Sequence, residues 1–147
     1  MQLPAASGHP GGMASQFQVQ HDAFRAWTDE LRAAARILPE LDAGARLALV
    51  ADLVAFLQEK VEPHMRVSDE LLFPRAGSRG SPLASAAMAY DHLAIRAWIA
   101  KIAEADEEDV GTLQELLYGL DALIRVHLWK EDELTVHPLS PTEPPAA

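Results

Sequence analysis

The chain has 147 residues, no cysteine, six histidines and a formal net charge of -10. Its length predicts one domain, and an apolar fraction of 49% is enough for a substantial core. The lack of cysteine excludes thiol chemistry and cysteine–metal sites, and the acidic charge argues against a nucleic acid or an anionic membrane as partner.

The first predicted element is a tail at residues 1–14, which is rich in Pro, Gly and Ala and lacks the basic and apolar segments of a signal peptide. A helix follows from a Ser15 N-cap to Leu38 and is stopped by Pro39. The next helix runs from about Asp42 to Phe73. Pro63 lies within it and is expected to bend it, because proline removes a backbone hydrogen bond.

The second half of the chain begins with a predicted loop at residues 74–80. A third helix starts at the N-cap Ser81, which proline follows, and runs to an acidic turn at 106–109. A fourth helix ends before a Pro-rich tail at 139–147. There is no strand pattern and no apolar run of the roughly 18 residues that a membrane span needs. The predicted fold is all-α: an antiparallel, up-down four-helix bundle over residues 15–138, in a cytoplasmic protein.

Two motifs recur in the two halves of the chain, each led by a histidine. HDAFRAW begins at His21 in the first helix, and HLAIRAW begins at His92 in the third. HMRVSDEL begins at His64 in the second helix, and HLWKEDEL begins at His127 in the fourth. The repetition predicts an internal duplication, in which two similar helical hairpins pack with two-fold symmetry. All four histidines lie on apolar stripes at a similar depth, so we expect them to converge.

The converging histidines predict a metal site. A single histidine on an apolar stripe is usually an ordinary core residue, but four unpartnered imidazoles in one core would be costly. Glu131 follows His127 by four residues, so its carboxylate can reach the same ion or bridge two. We assign no part in the site to four further residues, which we expect in solvent or, for the aspartates, paired with a basic side chain: His9, Asp22, Asp91 and His137.

The chain resembles the hemerythrin-like (HHE cation-binding) proteins over nearly all of residues 15–138. The likeness rests on His21, on PHMRVSDELLFP from Pro63, on DHLAIR from Asp91 and on HLWKEDEL from His127. It implies a four-helix bundle with a carboxylate-bridged, non-haem di-iron centre that binds O2 or NO, senses oxygen or iron, or handles iron. The metal ligands that it implies are His21, His64, His92 and His127, with Glu131 as a bridging carboxylate.

Two positions depart from the family pattern. Ser68 stands four residues after His64, where the family usually has a glutamate, so the second bridging carboxylate is in question. Asp69 is the nearest substitute and is included among the predicted ligands. Arg96 stands where oxygen-storing hemerythrins have an additional histidine, so the chain is more similar to the bacterial hemerythrin-like branch than to an oxygen carrier.

The leading interpretation is a non-haem iron protein that binds O2, NO or peroxide at this centre. An enzyme that decomposes peroxide or NO would use the same ligands, so the sequence does not separate binding from turnover. A third interpretation makes Ser68 the mark of a degenerate site, which holds one Fe, Mn or Zn ion or serves as a metal-free regulatory bundle. A sensor of this size would signal through another protein.

Overall fold

The computed structural model describes residues 10–79 and 81–139, and the regular structure within these ranges is entirely helical. α1 spans Pro10–Ile37 and is followed by a 3-10 turn, Leu38–Glu40. α2 has three α-helical segments, Ala43–Phe56, Glu62–Val67 and Phe73–Arg79, joined by the π-helical turns Leu57–Val61 and Ser68–Leu72. α3 spans Pro82–Glu104. α4 comprises Val110–Glu131, a π-helical turn Asp132–Val136 and a last segment His137–Leu139.

Side-chain caps begin three of the four helices. Asp42, Ser81 and Asp109 each accept a hydrogen bond from the backbone N–H three residues later, at 2.8, 3.2 and 3.1 Å. Such caps satisfy N–H groups that have no partner in the first turn of a helix. The predicted starts at Ser81 and at the acidic turn are therefore confirmed.

The predicted start of the first helix is wrong. α1 begins at Pro10, so Ser15 lies inside the helix instead of capping it. Met13 and Ala14 are buried in an apolar cluster with Phe17 and Phe73, and this packing extends the helix beyond the predicted position. Residues 10–14 of the predicted tail are therefore helical, and its residues 1–9 lie outside the described ranges.

The predicted loop at residues 74–80 is also wrong, because 73–79 is helical. Phe73 and Ala76 are buried in the same apolar cluster, which holds this segment against α3. Pro74 comes just after the π-helical turn, where the backbone is already distorted, and the helix continues through it. Gly80, the last residue of the predicted loop, is not among the described residues, nor is 140–147 of the predicted C-terminal tail.

Pro63 also follows a π-helical turn. The N–H of Glu62 bonds to the carbonyl of Leu57, five residues earlier, and Pro63 comes next in the helix. The distortion expected at this proline therefore takes the form of a widened turn, and α2 continues through it.

The four helices pack around two apolar clusters. α1 and α3 both contact α4, and α3 also contacts the first and last segments of α2. The larger cluster includes Phe24, Met65, Ile95 and Leu128, whereas the smaller one includes Phe17, Leu72, Met88 and Val136. Along each helix, the histidine that leads its repeated motif lies between residues of one cluster and residues of the other. A polar layer therefore separates the two apolar clusters. No described helix is both long and apolar enough to cross a bilayer.

Candidate metal centre

Each of the four helices contributes one buried histidine to the polar layer. They are His21 on α1, His64 on α2, His92 on α3 and His127 on α4, each with 5% or less of its surface exposed. Apolar residues of the two clusters lie one turn before and one turn after His21 and His92, and one turn before His64 and His127, and this packing fixes the rings at this depth.

The imidazoles form two pairs that a single carboxylate joins. The Nε2 atoms of His21 and His64 are 3.2 Å apart, and those of His92 and His127 are 2.9 Å apart. Oε2 of Glu131 lies 3.1 Å from Nε2 of His21, 3.5 Å from that of His64 and 3.4 Å from that of His127. Each pair together with Glu131 forms a group whose ligand atoms can hold one metal ion.

The other ring nitrogen of every histidine contacts an oxygen from a different helix. Because carboxylate and amide oxygens accept hydrogen bonds, Nδ1 of each neutral imidazole carries the proton and Nε2 presents a lone pair. This is the arrangement of metal-ligating histidine, in which the outer hydrogen bond fixes the tautomer and the ring orientation. The acceptors are Asp132 for His21 (2.6 Å), Gln20 for His64 (2.8 Å), Asp69 for His92 (2.8 Å) and Asp91 for His127 (3.2 Å).

Basic side chains contact the three carboxylates that lie behind the histidines. These pairs are Asp132 with Arg25, Asp69 with Arg96 (3.3 Å) and Asp91 with Lys130 (2.5 Å). These ion pairs hold the carboxylates in place, so that their hydrogen bonds orient the imidazoles.

The paired imidazoles differ in proton affinity. Burial is the largest influence on His21 and lowers its pKa, but the hydrogen bond to Asp132 and the nearby carboxylate of Glu131 outweigh it and raise the pKa to about 8. Burial lowers the pKa of His64. In the other pair, burial opposes the hydrogen bond of His127 to Asp91 and the nearby charge of Glu131, yet the pKa of His127 is raised, whereas burial and the neighbouring His127 lower that of His92. In each pair, therefore, one imidazole holds a proton more readily than the other.

Glu131 is an anion in the protein interior. Burial alone would raise its pKa, but the imidazoles of His127, His21 and His64 hold the pKa well below its usual range. No N–H is well directed at either of its buried oxygens. A buried carboxylate without such donors is costly, and coordination of a cation would satisfy it. The observed chemistry, imidazole nitrogen with carboxylate oxygen, fits iron, manganese or zinc.

The structure brings together five of the six predicted ligand residues: the four histidines and Glu131. It places the sixth, Asp69, elsewhere. Its carboxylate bonds to Nδ1 of His92, which is the ring nitrogen on the far side from His127. Asp69 therefore lies behind a ligand candidate instead of among the converging atoms, because its spacing of five residues from His64 turns it towards α3.

Two of the residues whose oxygen atoms contact Nδ1 of the histidines, Asp132 and Gln20, were not predicted from the sequence. A third, Asp91, was expected to have no part in the site. Asp22 pairs with Arg25 near the surface, as expected of it, but Asp91 contacts His127 as well as a lysine. The repeated motifs carried a usable signal. In each half of the chain, the first motif has a histidine and an arginine four residues apart on one helix. The second motif has a histidine and an aspartate five residues apart on the next helix.

Comparisons with curated proteins and with solved structures yield no match. A family model described as the hemerythrin HHE cation-binding domain matches residues 13–137. This range contains all four converging histidines, Glu131 and their hydrogen-bond partners. Since the match covers most of the chain, the protein belongs to the hemerythrin HHE cation-binding domain family.

Proposed function

We propose that the protein is a non-haem di-iron protein that binds O2, NO or peroxide at the centre formed by the two histidine pairs and Glu131. The observation that carries the proposal is the buried carboxylate of Glu131, whose Oε2 lies within 3.5 Å of Nε2 on His21, His64 and His127. Iron, when bound, would supply open coordination positions for a small ligand and electrons for its reduction.

The residues of this chain orient the imidazoles and keep water away from them. Aromatic rings lie against the imidazoles: Phe24 and His64 have ring centroids 4.9 Å apart, and Phe73 and His92 have centroids 5.2 Å apart. These rings limit the access of water to the polar layer. The outer hydrogen bonds keep the Nε2 atoms directed at each other, so little reorganisation is needed when a cation binds.

A cavity beside His64 supports a small, weakly polar ligand. It has a volume of about 260 Å³, opens between α1 and α2, and is lined by Gln20, Phe24, Lys60, Pro63 and His64, among others. Its wall is mostly apolar, which suits a diatomic gas better than a charged metabolite.

We also propose that the four helices form an antiparallel, up-down bundle built by internal duplication. The matched contacts support this arrangement. Arg25 and His21 of α1 both contact Asp132 of α4, and the same contacts recur on α3 and α2. There Arg96 and His92 both contact Asp69.

Metal analysis and spectroscopy of protein from iron-replete cells test the proposal. We expect two irons per chain and a reversible change in the absorption spectrum on adding O2 or NO to the reduced protein. A His127→Ala variant should lose both, whereas His137→Ala, which removes an exposed histidine, should lose neither. Less than one metal of any kind per chain contradicts the proposal.

One observation favours a second candidate, a centre with a single metal ion. Ser68, at the position where the family usually has glutamate, donates its hydroxyl hydrogen bond to the carbonyl of His64 at 3.2 Å. It therefore supplies no carboxylate. One tightly bound Fe, Mn or Zn per chain, unchanged by excess iron, would favour this candidate over the di-iron protein.

A further inference from the structure

We propose that a small carboxylate-type anion, of the size of formate or bicarbonate, binds at the centre on the side of Ser68. The anion would take the place of the carboxylate that this side chain lacks. The inference rests on the proposed function, since it requires metal ions held by the histidine pairs.

The first argument is the near-complete match between the two halves of the centre. Four pairs of residues occupy corresponding motif positions and make corresponding contacts: His21 with His92, Arg25 with Arg96, His64 with His127, and Asp132 with Asp69. By the same correspondence Ser68 is the counterpart of Glu131, because each follows its histidine by four residues. At this position one half has a carboxylate and the other has a hydroxyl, and the other difference is Gln20 in place of Asp91 behind the histidines.

The second argument is what Ser68 does instead. Its side chain is fully buried, so it belongs to the interior as Glu131 does. Its hydroxyl bonds back to the carbonyl of His64 on its own helix, a common local bond of serine within helices. Ser68 thus brings neither charge nor a ligand atom to the centre. The part of a glutamate side chain that it lacks, a carboxylate group with its carbon, has the size of formate.

The third argument is charge. The carboxylates of Asp132, Asp69 and Asp91 each contact Nδ1 of a histidine and a basic side chain, so they lie outside the group of facing Nε2 atoms. Among the described residues this leaves Glu131 as the carboxylate that contacts the facing nitrogens. Two divalent cations with one carboxylate and neutral imidazoles would leave a large uncompensated positive charge in a buried layer, which is costly. An anion on the Ser68 side reduces that charge.

A surface pocket lies between α2 and α3 near Asp69, the residue that follows Ser68. It has a volume of about 360 Å³ and is lined by Asp69, Phe73, Pro82 and Ser85, among others. The buried hydroxyl of Ser85 has no hydrogen-bond partner in the described structure. Asp69 and Ser85 are the polar residues of its lining, and the rest of the lining is apolar.

The test uses the full chain loaded with Co²⁺, whose visible absorption reports a change of ligand without redox chemistry. Stoichiometry is measured first, and formate is then titrated against wild type, Ser68→Ala and Ser68→Glu at constant ionic strength. We expect saturable spectral changes for wild type and Ser68→Ala. The affinity of Ser68→Glu for formate should be at least tenfold weaker, because the new carboxylate takes the same position.

A second measurement does not depend on the folding of Ser68→Glu. Because coupling between two ligands is reciprocal, formate should raise the affinity of wild type for Co²⁺ at least tenfold, and chloride at the same ionic strength should not. A chain that binds Co²⁺ but responds to formate in neither experiment overturns the inference and leaves the proposed function standing. A chain that binds no Co²⁺ with or without formate overturns both.

Discussion

The oxygen atoms behind the four histidines are not equivalent. His127 is supported by the carboxylate of Asp91, whose pKa is lowered by its hydrogen bond from His127 and further by Lys130. At the matching position of the other half, His64 is supported by the neutral amide of Gln20. A carboxylate makes the imidazole a stronger ligand than an amide does. The metal position beside His127 is therefore expected to be the stronger one.

An Asp91→Asn substitution tests this expectation. Asparagine keeps the size of the side chain but removes the charge behind His127, so the affinity of the centre for metal should fall about 10- to 100-fold. Competition between the protein and a coloured zinc chelator measures the affinity. Asp52→Asn, which removes an exposed carboxylate of α2, is the matched control and should change nothing. If the two variants bind metal with equal affinity, Asp91 links α3 to α4 without strengthening metal binding.

The residues that converge in the polar layer could be predicted from the sequence, whereas most of those behind them could not. His21, His64, His92 and His127 lie on apolar stripes, and the stripe determines which way a helix side chain points. The supporting contacts join helices far apart in the sequence, as Asp132 joins His21 across 111 residues. Such pairings depend on the rotation of one helix against another, which periodicity within one helix does not report.

At the scale of the helices, local chemistry determined some ends and tertiary packing determined others. Asp42, Ser81 and Asp109 were readable as starts because a cap is a local interaction. The start of α1 at Pro10 and the helical segment Phe73–Arg79 follow instead from burial in the smaller apolar cluster. Proline and glycine suggested breaks in both places, and packing prevailed over that local preference.

The contact between α3 and α4 depends on a glycine. A Cβ atom at Gly119 would lie 2.4 Å from two ring carbons of Trp98, so the indole would have to move. We expect Gly119→Ala to destabilise the metal-free protein by about 1–3 kcal/mol through overpacking, measured by urea denaturation.

Gly111→Ala is the control for that substitution. The added Cβ at Gly111 meets only an oxygen of Asp109 at 3.8 Å, so the better helix propensity of alanine should make this variant slightly more stable. The two variants should therefore change stability in opposite directions. If both are stabilising, the ring of Trp98 moves aside at little cost and the close approach is not required.

The start of α4 should depend on pH through Asp109. Hydrogen bonds from the hydroxyl and the backbone N–H of Thr112 lower the pKa of this carboxyl. Because the pKa is lower in the folded chain than in the unfolded chain, the stabilisation is complete above the unfolded value and is lost as the pH falls through the folded value. Asp109→Asn keeps a capping oxygen that does not titrate. The melting temperature of the wild type, measured relative to that of this variant, should therefore fall on acidification below about pH 4. A difference in melting temperature that stays constant with pH would contradict this expectation.

At the scale of the whole molecule, the polar layer lies between two apolar clusters that hold all four helices. The layer brings imidazole nitrogens together in facing pairs and buries a carboxylate that lacks directed donors. A cation would satisfy all of these groups together. Metal binding should therefore stabilise the whole bundle, because residues of every helix contribute to the layer.

Thermal unfolding with and without Zn²⁺ measures this coupling. A ligand that binds only the folded chain adds about 2.7 kcal/mol of stability at a free concentration one hundred times its dissociation constant, so the melting temperature should rise with Zn²⁺ and fall again with a chelator. His127→Ala removes a nitrogen from one pair and should lose most of the rise. His137→Ala, which removes a half-exposed histidine paired with Glu133, should keep it, and this comparison separates the centre from adventitious binding at surface histidines. If the two variants respond alike, the cation stabilises the protein from a site other than the polar layer.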